Sequence, residues 1–369
     1  MKLILKLMVF ILNLIYIPFK LLTVQDKVTF ISRQSNSKTE DIEMLGSELE
    51  ARGIDVRYLC RKIEKNPLKL IAYCFHIFSQ MYHIATSKVV ILDSYCICVS
   101  VLKQRPSITV IQMWHALGSL KKFGLSIVGD GEGSSKDMAD AMKMHRNYNY
   151  VLTSGHACLP NFAEAFGYSD EPEKMKVMSL PRVDKLTDPK FRQDSLDRIY
   201  EKYPWLKDKK VVVYAPTFRK GRDISARIDA LAEKFDPDEY VFILKKHPHM
   251  EADCRFAFVE EEFTTLEMLF AADYVICDYS AVIYEAAILK KPMFFYTFDY
   301  ESYGLDRDFY IDYMEEMPGV IAADPDAIYD AVINDQYDLK AVEAFSHKYI
   351  ENQKDCTLRL ADFVVKCLS

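Results

Sequence analysis

Glycine is scarce in this 369-residue chain, with 12 residues where an average protein would have about 7%. A glycine-rich phosphate cradle is therefore not the default way for it to hold an anion. No Walker loop, GxSxG elbow or HExxH helix occurs. Gly129-Asp130-Gly131-Glu132-Gly133 lacks the GxGxxG spacing and reads as a flexible acidic loop. An excess of positive charge is also missing: Lys plus Arg is 47 against 54 Asp plus Glu, net −7. That balance disfavours a nucleic-acid partner, which needs a basic face. Any anionic ligand must be held by local basic residues, because the overall field repels it. Paired cysteines are absent too. The nine are scattered, mostly inside apolar runs, and Cys96 and Cys98 have no second pair or nearby histidine to complete a zinc site. Buried thiols in a reducing compartment fit this pattern. No metal ligands and no required cofactor are assigned, and divalent-cation dependence stays open. Asp236-Pro237-Asp238 could pass for a metal-binding carboxylate pair, but it precedes a strand and reads as a turn.

With 50% hydrophobic and 27% charged residues the composition is that of an ordinary globular protein. The length predicts two domains or one large α/β unit. At the amino terminus Lys2 and Lys6 precede an apolar stretch of about 13 residues, short of the roughly 20 that span a bilayer. On a helical wheel Lys2, Lys6, Asn13 and Lys20 fall within about 40° of one another, opposite a broad apolar surface. A helix lying in the membrane interface, lysines toward anionic headgroups, accounts for this spacing. Pro18 should kink its second half. The competing reading is an amphipathic helix packed on the protein's own core.

From Lys27 onward short apolar strands alternate with helical stretches. Residues 27–32, 55–59, 88–92 and 107–112 read as strands, and 40–52 and 67–86 as helices. After a polar stretch over 184–210, a second series places strands at 210–214, 240–244, 274–277 and 292–296. Such alternation implies parallel βαβ units. The expected architecture is α/β and GT-B-like: two doubly wound Rossmann-type domains facing a central cleft, where ligands meet the carboxyl ends of strands. The expected divisions are an amphipathic membrane-interface helix over 1–24, an acceptor-side domain over 25–190 and a donor-binding domain over 191–340. A carboxyl-terminal helix over 341–369 should pack back on the first half.

Polar side chains collect at the strand ends. Trp114-His115 and then Lys121-Lys122 follow the fourth strand; Thr217-Phe218-Arg219 follow 210–214; Lys245-Lys246-His247-Pro248-His249 follow 240–244; and Asp278-Tyr279-Ser280 follow 274–277. Ser280 is placed to cap a helix over 281–289, whose free N–H groups and dipole would make an anion site without glycines. An arginine fork, a lysine, a histidine and a helix amino terminus on one sheet edge suit a diphosphate. Taken singly, each motif is also what a solvent-facing strand end would carry.

These residues resemble the CDP-glycerol-dependent glycerophosphotransferases and related ribitol-phosphate transferases of bacterial teichoic-acid and capsule synthesis. The similar stretches are Ile111–His115 (IQMWH) with Lys121-Lys122-Phe123-Gly124, 162–168 (FAEAFGY), Pro181-Arg182-Val183-Asp184, 214–219 (YAPTFR), His247-Pro248, 272–280 (ADYVICDYS), 292–299 (PMFFYTFD) and 309–320. The family usually has WHG-T and a glycine with an aromatic before PRND; here His115-Ala116-Leu117-Gly118-Ser119 and Ser179-Leu180 stand instead. The resemblance implies peripheral attachment to the inner face of the cytoplasmic membrane. It also implies transfer of glycerol phosphate or ribitol phosphate from a CDP-polyol to a hydroxyl of a lipid-linked saccharide or polyol-phosphate acceptor, releasing CMP. By it, His115 matches a histidine proposed as the base, and His247 one at the donor phosphates. Thr217, Arg219, Lys245, Asp278 and Ser280 fall on the donor side, and Trp114, Lys121, Lys122, Arg182 and Asp184 on the acceptor side. The length suggests a short or single addition. Two rivals remain, a GT-B glycosyltransferase using a nucleotide sugar and a non-catalytic membrane scaffold.

Overall fold

The computed structural model describes all residues except 1, 65, 131, 132, 248, 249 and 307. Gly131 and Glu132 of the acidic loop, and Pro248 and His249 after His247, therefore lie outside the described residues. The chain forms two compact units. The first holds Met1–Ala116, Lys122–Arg182 and Asp355–Ser369; the second holds Leu117–Lys121 and Val183–Lys354. The crossings fall after Arg182 and Lys354, not at 190 and 340, because the polar stretch over 184–210 is not a linker. Its charged residues form helices that pack with the second unit.

In the first unit a six-stranded parallel sheet runs β2-β1-β3-β4-β5-β6, with β1 at Gln25–Ser32, β2 at Asp55–Cys60, β3 at Ser87–Leu92, β4 at Thr109–Gln112, β5 at Tyr150–Thr153 and β6 at Met175–Val177. Around it lie α1 (Lys2–Phe19), α2 (Glu40–Ala51), α3 (Pro67–Thr86), α4 (Ile97–Val101), α5 (Lys136–Ala141) and α6 (Leu159–Phe166). Strand β1 is buried from Lys27 to Ser32, and β3 is buried at every position but Lys88, as a sheet covered on both faces requires. The strand order reverses between β1 and β3.

The second unit repeats the plan. Its sheet runs β12-β11-β10-β7-β8-β9, with β7 at Lys210–Ala215, β8 at Tyr240–Leu244, β9 at Phe258–Val259, β10 at Tyr274–Cys277, β11 at Met293–Tyr296 and β12 at Val320–Ala322. Counted within the unit this is the dinucleotide-fold order 3-2-1-4-5-6, so the switch point lies between β7 and β10. Its helices are α7 (Arg182–Thr187), α8 (Pro189–Lys202), α9 (Ser225–Ala232), α10 (Thr265–Ala271), α11 (Ile283–Ile288), α12 (Tyr300–Asp306), α13 (Tyr313–Glu316), α14 (Pro325–Ile333) and α15 (Leu339–Tyr349). Asp188 caps α8 ahead of Pro189, and a Thr264/Glu267 capping box starts α10, which packs on α8. Val212, Phe242, Ile276, Phe294 and Ile328 fill the core. The expected single carboxyl-terminal helix is two. α15 lies against α11, whereas α16 (Cys356–Leu368) packs on α2 and β3 of the first unit.

The amino-terminal helix forms with its apolar face exposed, not packed on the protein's core, and with its polar stripe partly engaged by the protein. Asn13 donates to the carbonyls of Val9 and Val101 and accepts from Lys103 N–H, and Lys2 pairs with Asp137. That part of the polar stripe faces the protein. Leu3, Ile4, Leu7, Phe10, Leu14 and Ile17 point to solvent, Leu3 being 81% exposed. The backbone of Val101 and Lys103 offers partners to Asn13, and the Gln104 side chain offers one to the Tyr16 hydroxyl at 2.9 Å. Pro18 makes no mid-helix kink, since the helix ends at Phe19.

Candidate functional site

In the first unit the polar groups gather where β1, β3 and β4 end. His115 Nδ1 lies 2.8 Å from the Asp93 carbonyl oxygen. The Gln34 side-chain nitrogen lies farther from the same atom, at 3.2 Å; the nearer partner is a carbonyl, which can only accept, and this assigns the proton to Nδ1 and the lone pair to Nε2. Burial lowers the His115 pKa, outweighing the opposing bond to Asp93, and the ring is held neutral. The Asp93 carboxylate accepts from Ser32 and Thr39, which fixes the β3 terminus beneath the imidazole. Trp114 has a left-handed backbone, φ 62°, a conformation costing about 1–3 kcal/mol in a non-glycine residue. Its N–H donates to Gln112 Oε1, and its ring stacks on Phe123 at 5.2 Å. Gly124 follows Phe123 at φ 62°, and a Cβ there would lie 2.3 Å from the Ala165 carbonyl. The loop therefore closes around the indole ring.

Arg182 does not present its guanidinium as a free acceptor contact. It forks onto buried Asp41 of α2, at 2.9 Å through Nε, and donates to the His115 carbonyl at 3.3 Å. It positions the histidine loop. Lys121 and Lys122 fall in different units. Lys121 donates to the Tyr303 hydroxyl at 3.1 Å, while Lys122 is half-buried in the first unit. Asp184 is half-buried on α7.

In the second unit the switch point brings Thr217 and Asp278 together. Thr217 N–H donates to both Asp278 oxygens, at 2.8 and 3.0 Å, and its hydroxyl is buried without a partner. Asp278 is fully buried and also bonds Arg219, whose other two nitrogens fork onto Asp299 at 3.0 and 2.9 Å. The rings of Tyr279, Phe298 and Tyr303 enclose that guanidinium at 5.2–5.3 Å. Burial opposes its charge, yet the two carboxylates prevail and its pKa is raised. Lys245 is likewise committed: its three protons go to the Glu260 carboxylate and to the carbonyls of Glu260 and Phe263. Lys246 pairs with Glu261 at 2.6 Å. The basic strand ends are thus largely neutralised from within, and Arg219, Lys245 and Asp278 build the floor of the site.

The surface above that floor is made by other groups. His247 is exposed and stacks on Phe218 at 5.5 Å. Beside it lies a cavity of about 510 Å³ lined by Phe218, Arg219, Arg222, Ile224 and Met250 and by the acidic Asp223, Glu251 and Asp253. Its size is that of a small-molecule site. Ser280 does not cap a helix. The chain makes a tight turn through Ala281, α11 begins only at Ile283, and Ser280 Oγ merely accepts Val282 N–H at 3.5 Å. Asp236-Pro237-Asp238 is a turn, closed by Asp238 N–H onto Asp236.

The sequence profile of the family described as CDP-glycerol:poly(glycerophosphate) glycerophosphotransferase matches residues 14–366. The chain belongs to this family. It is 34% identical to the teichoic acid ribitol-phosphate primase of Bacillus spizizenii, over 95% of this chain and 93% of that one. With the teichoic acid glycerol-phosphate primase of Bacillus subtilis it shares 30% identity, over 78% and 73% of the two chains. The crystallised wall teichoic acid polymerase TagF has the same fold, with a TM-score of 0.73 at 18% identity, covering 100% of this chain and 97% of that one.

Among the family-type motifs, the structure separates groups that reach solvent from groups that brace the fold. Sequence reasoning missed the partners: Asp93 beneath His115, Asp41 beneath Arg182, and Asp299 against Arg219. Asp299 was within reach, since it ends the 292–299 stretch at a strand terminus. Asp41 and Asp93 carried no local signal. Arg222, which lines the cavity, was passed over because nothing in its neighbourhood distinguishes it from a solvated arginine.

Proposed function

We propose that this chain transfers a polyol phosphate from a CDP-polyol to a hydroxyl of a teichoic-acid acceptor. One observation carries the reading: His115 Nδ1 lies 2.8 Å from the Asp93 carbonyl oxygen, a contact that assigns the proton to Nδ1 and leaves Nε2 to act as a neutral base. The acceptor oxygen attacks the polyol-bearing phosphorus, its proton passes to Nε2, and the bond to CMP breaks as the phosphodiester forms. Positive charge must meet the phosphoryl oxygens. His247, Arg222 and the unpartnered Thr217 hydroxyl, at the carboxyl ends of β7 and β8, are the groups assigned to the donor. Arg219, Asp278 and Lys245 keep those loops in place.

The acceptor is lipid-linked in this reading, and α1 attaches the enzyme to the membrane. Eighteen residues rise about 27 Å, close to the hydrocarbon thickness of about 30 Å, so length alone does not separate spanning from lying flat. The bonds from Asn13 and Lys2 to the protein body favour lying flat, because a spanning helix would have to break them. Purified enzyme offered CDP-glycerol, CDP-ribitol and UDP-sugars, with a short lipid-linked acceptor, should release CMP from a CDP-polyol and leave the UDP-sugars intact. Sugar transfer without CMP release would favour the glycosyltransferase rival.

A further inference from the structure

A groove that the proposed chemistry does not use runs along the edge of α1 where its protein-facing side meets its exposed apolar face. It has a volume of about 360 Å³, with Val9, Phe10, Leu14 and Ile17 as its apolar wall. Four lysines line it: Lys6 from α1, Lys20 just after that helix, Lys103 from the loop after α4, and Lys143 from the turn after α5. Among the described residues, none of the four is paired with a carboxylate. Elsewhere on this net-acidic surface lysines commonly are, as with Lys2 and Asp137, Lys190 and Asp194, or Lys234 and Asp326. Lys143 also lines a second cavity of about 490 Å³ with Lys136 and Arg146. Four like charges around one small groove repel one another, and an anion there relieves that repulsion.

We infer that this groove seats the phosphate of a membrane lipid, whose hydrocarbon tails run out along the exposed apolar face of α1. The inference rests on the reading that α1 lies on a membrane. Charge complementarity selects the headgroup, and the apolar wall selects a lipid over a free anion. A helix held only by its outer face would be indifferent to headgroup chemistry. This groove makes attachment depend on a phosphate of net negative charge, because a choline ammonium would meet the lysines.

The test uses the full chain and short-chain lipids below their micelle concentration, titrated by calorimetry. Dihexanoyl phosphatidic acid should bind saturably at one per chain. Dihexanoyl phosphatidylcholine and inorganic phosphate should bind far more weakly. Lys6→Gln with Lys103→Gln should weaken the phosphatidic acid on the order of thirtyfold at low salt, taking about 1 kcal/mol for each lysine. Both positions are solvent-exposed, and the Lys6→Arg/Lys103→Arg pair should retain binding. Equal affinity for inorganic phosphate would overturn the lipid assignment. Equal affinity for phosphatidylcholine, or an unchanged Gln pair, would overturn the phosphate seat. Sedimentation of wild type and Leu3→Asp/Leu7→Asp with vesicles containing phosphatidic acid reads the membrane role of α1 separately, through exposed side chains that do not line the groove. Wild-type protein that binds the soluble lipid but no vesicles would sink that role and leave the groove standing.

Discussion

Replacing Arg219 by Met should first unfold the second unit, and only secondarily disturb donor binding. The Arg219 side chain is 2% exposed, and its partners Asp278 and Asp299 are 0% and 13% exposed. Removing the guanidinium leaves two carboxylates facing each other in a poorly solvated site. Breaking one side of a buried ion pair typically costs about 3–5 kcal/mol. At an m-value of about 2 kcal/mol per molar urea, the midpoint should fall by roughly 1.5–2.5 M. The chain has two tryptophans. Trp114 lies in the first unit and Trp205 in the second, so in a Trp114→Phe background fluorescence excited at 295 nm reports the second unit alone. Adding Asp278→Asn to Arg219→Met removes one stranded charge and should recover part of the loss, a coupling on the order of 1–3 kcal/mol. If Arg219→Met keeps the parental midpoint while CDP-polyol affinity collapses, Arg219 contacts the donor directly and the bracing argument is wrong.

His115→Asn keeps a donor toward the Asp93 carbonyl but removes the base. It should lower kcat by about 10²–10⁴-fold with donor affinity nearly intact, and calorimetry showing a large loss of donor binding would refute the role. Because burial lowers the His115 pKa, the acid limb of wild-type kcat/KM should lie below 6.5. His76, His83, His115 and His145, all in the first unit, have pKa values lowered by burial, to about 4 for His83 and about 3 for His145. The unfolded chain binds these protons near 6.5 and the folded chain does not, so the stability they contribute is complete above 6.5 and falls on acidification. In a Trp205→Phe background, Trp114 fluorescence during urea unfolding should show a falling midpoint from pH 7 to 5, and a flat profile would contradict it. Gly118→Ala places a methyl 2.2 Å from the fully buried Tyr284 ring. It should cost about 1–3 kcal/mol, and an unchanged urea midpoint would show that the ring yields. Deleting residues 1–22 should abolish vesicle sedimentation, and unchanged binding would reject the membrane role of α1.

Local pattern carried much of the architecture. Strands β3, β7, β8 and β10 announce themselves through apolar runs of four or five residues, and the alternation with helices implies a parallel sheet before any contact is known. The outer strands β6, β9 and β12, of two or three residues, are too short to carry a period. The charged helix α8 looks like a linker because only Ser195 and Ile199 are buried along it.

Sequence alone determined that the chain is an α/β pair of doubly wound units, that polar groups gather at the carboxyl ends of their strands, and that an amphipathic helix leads the chain. It could not say which of those polar groups are free to act. Arg219 and Asp299 are 80 residues apart, Arg182 and Asp41 are 141 apart, and Lys245 reaches Glu260 across a strand connection. An ion pair depends on distance in space, and periodicity carries no information about that. The wheel of α1 showed a polar stripe without showing which way it faces, because the answer lies in two backbone groups near residue 100. Only the tertiary structure turned a row of basic residues into a braced floor, a neutral His115 with an open Nε2, and four lysines gathered around one groove.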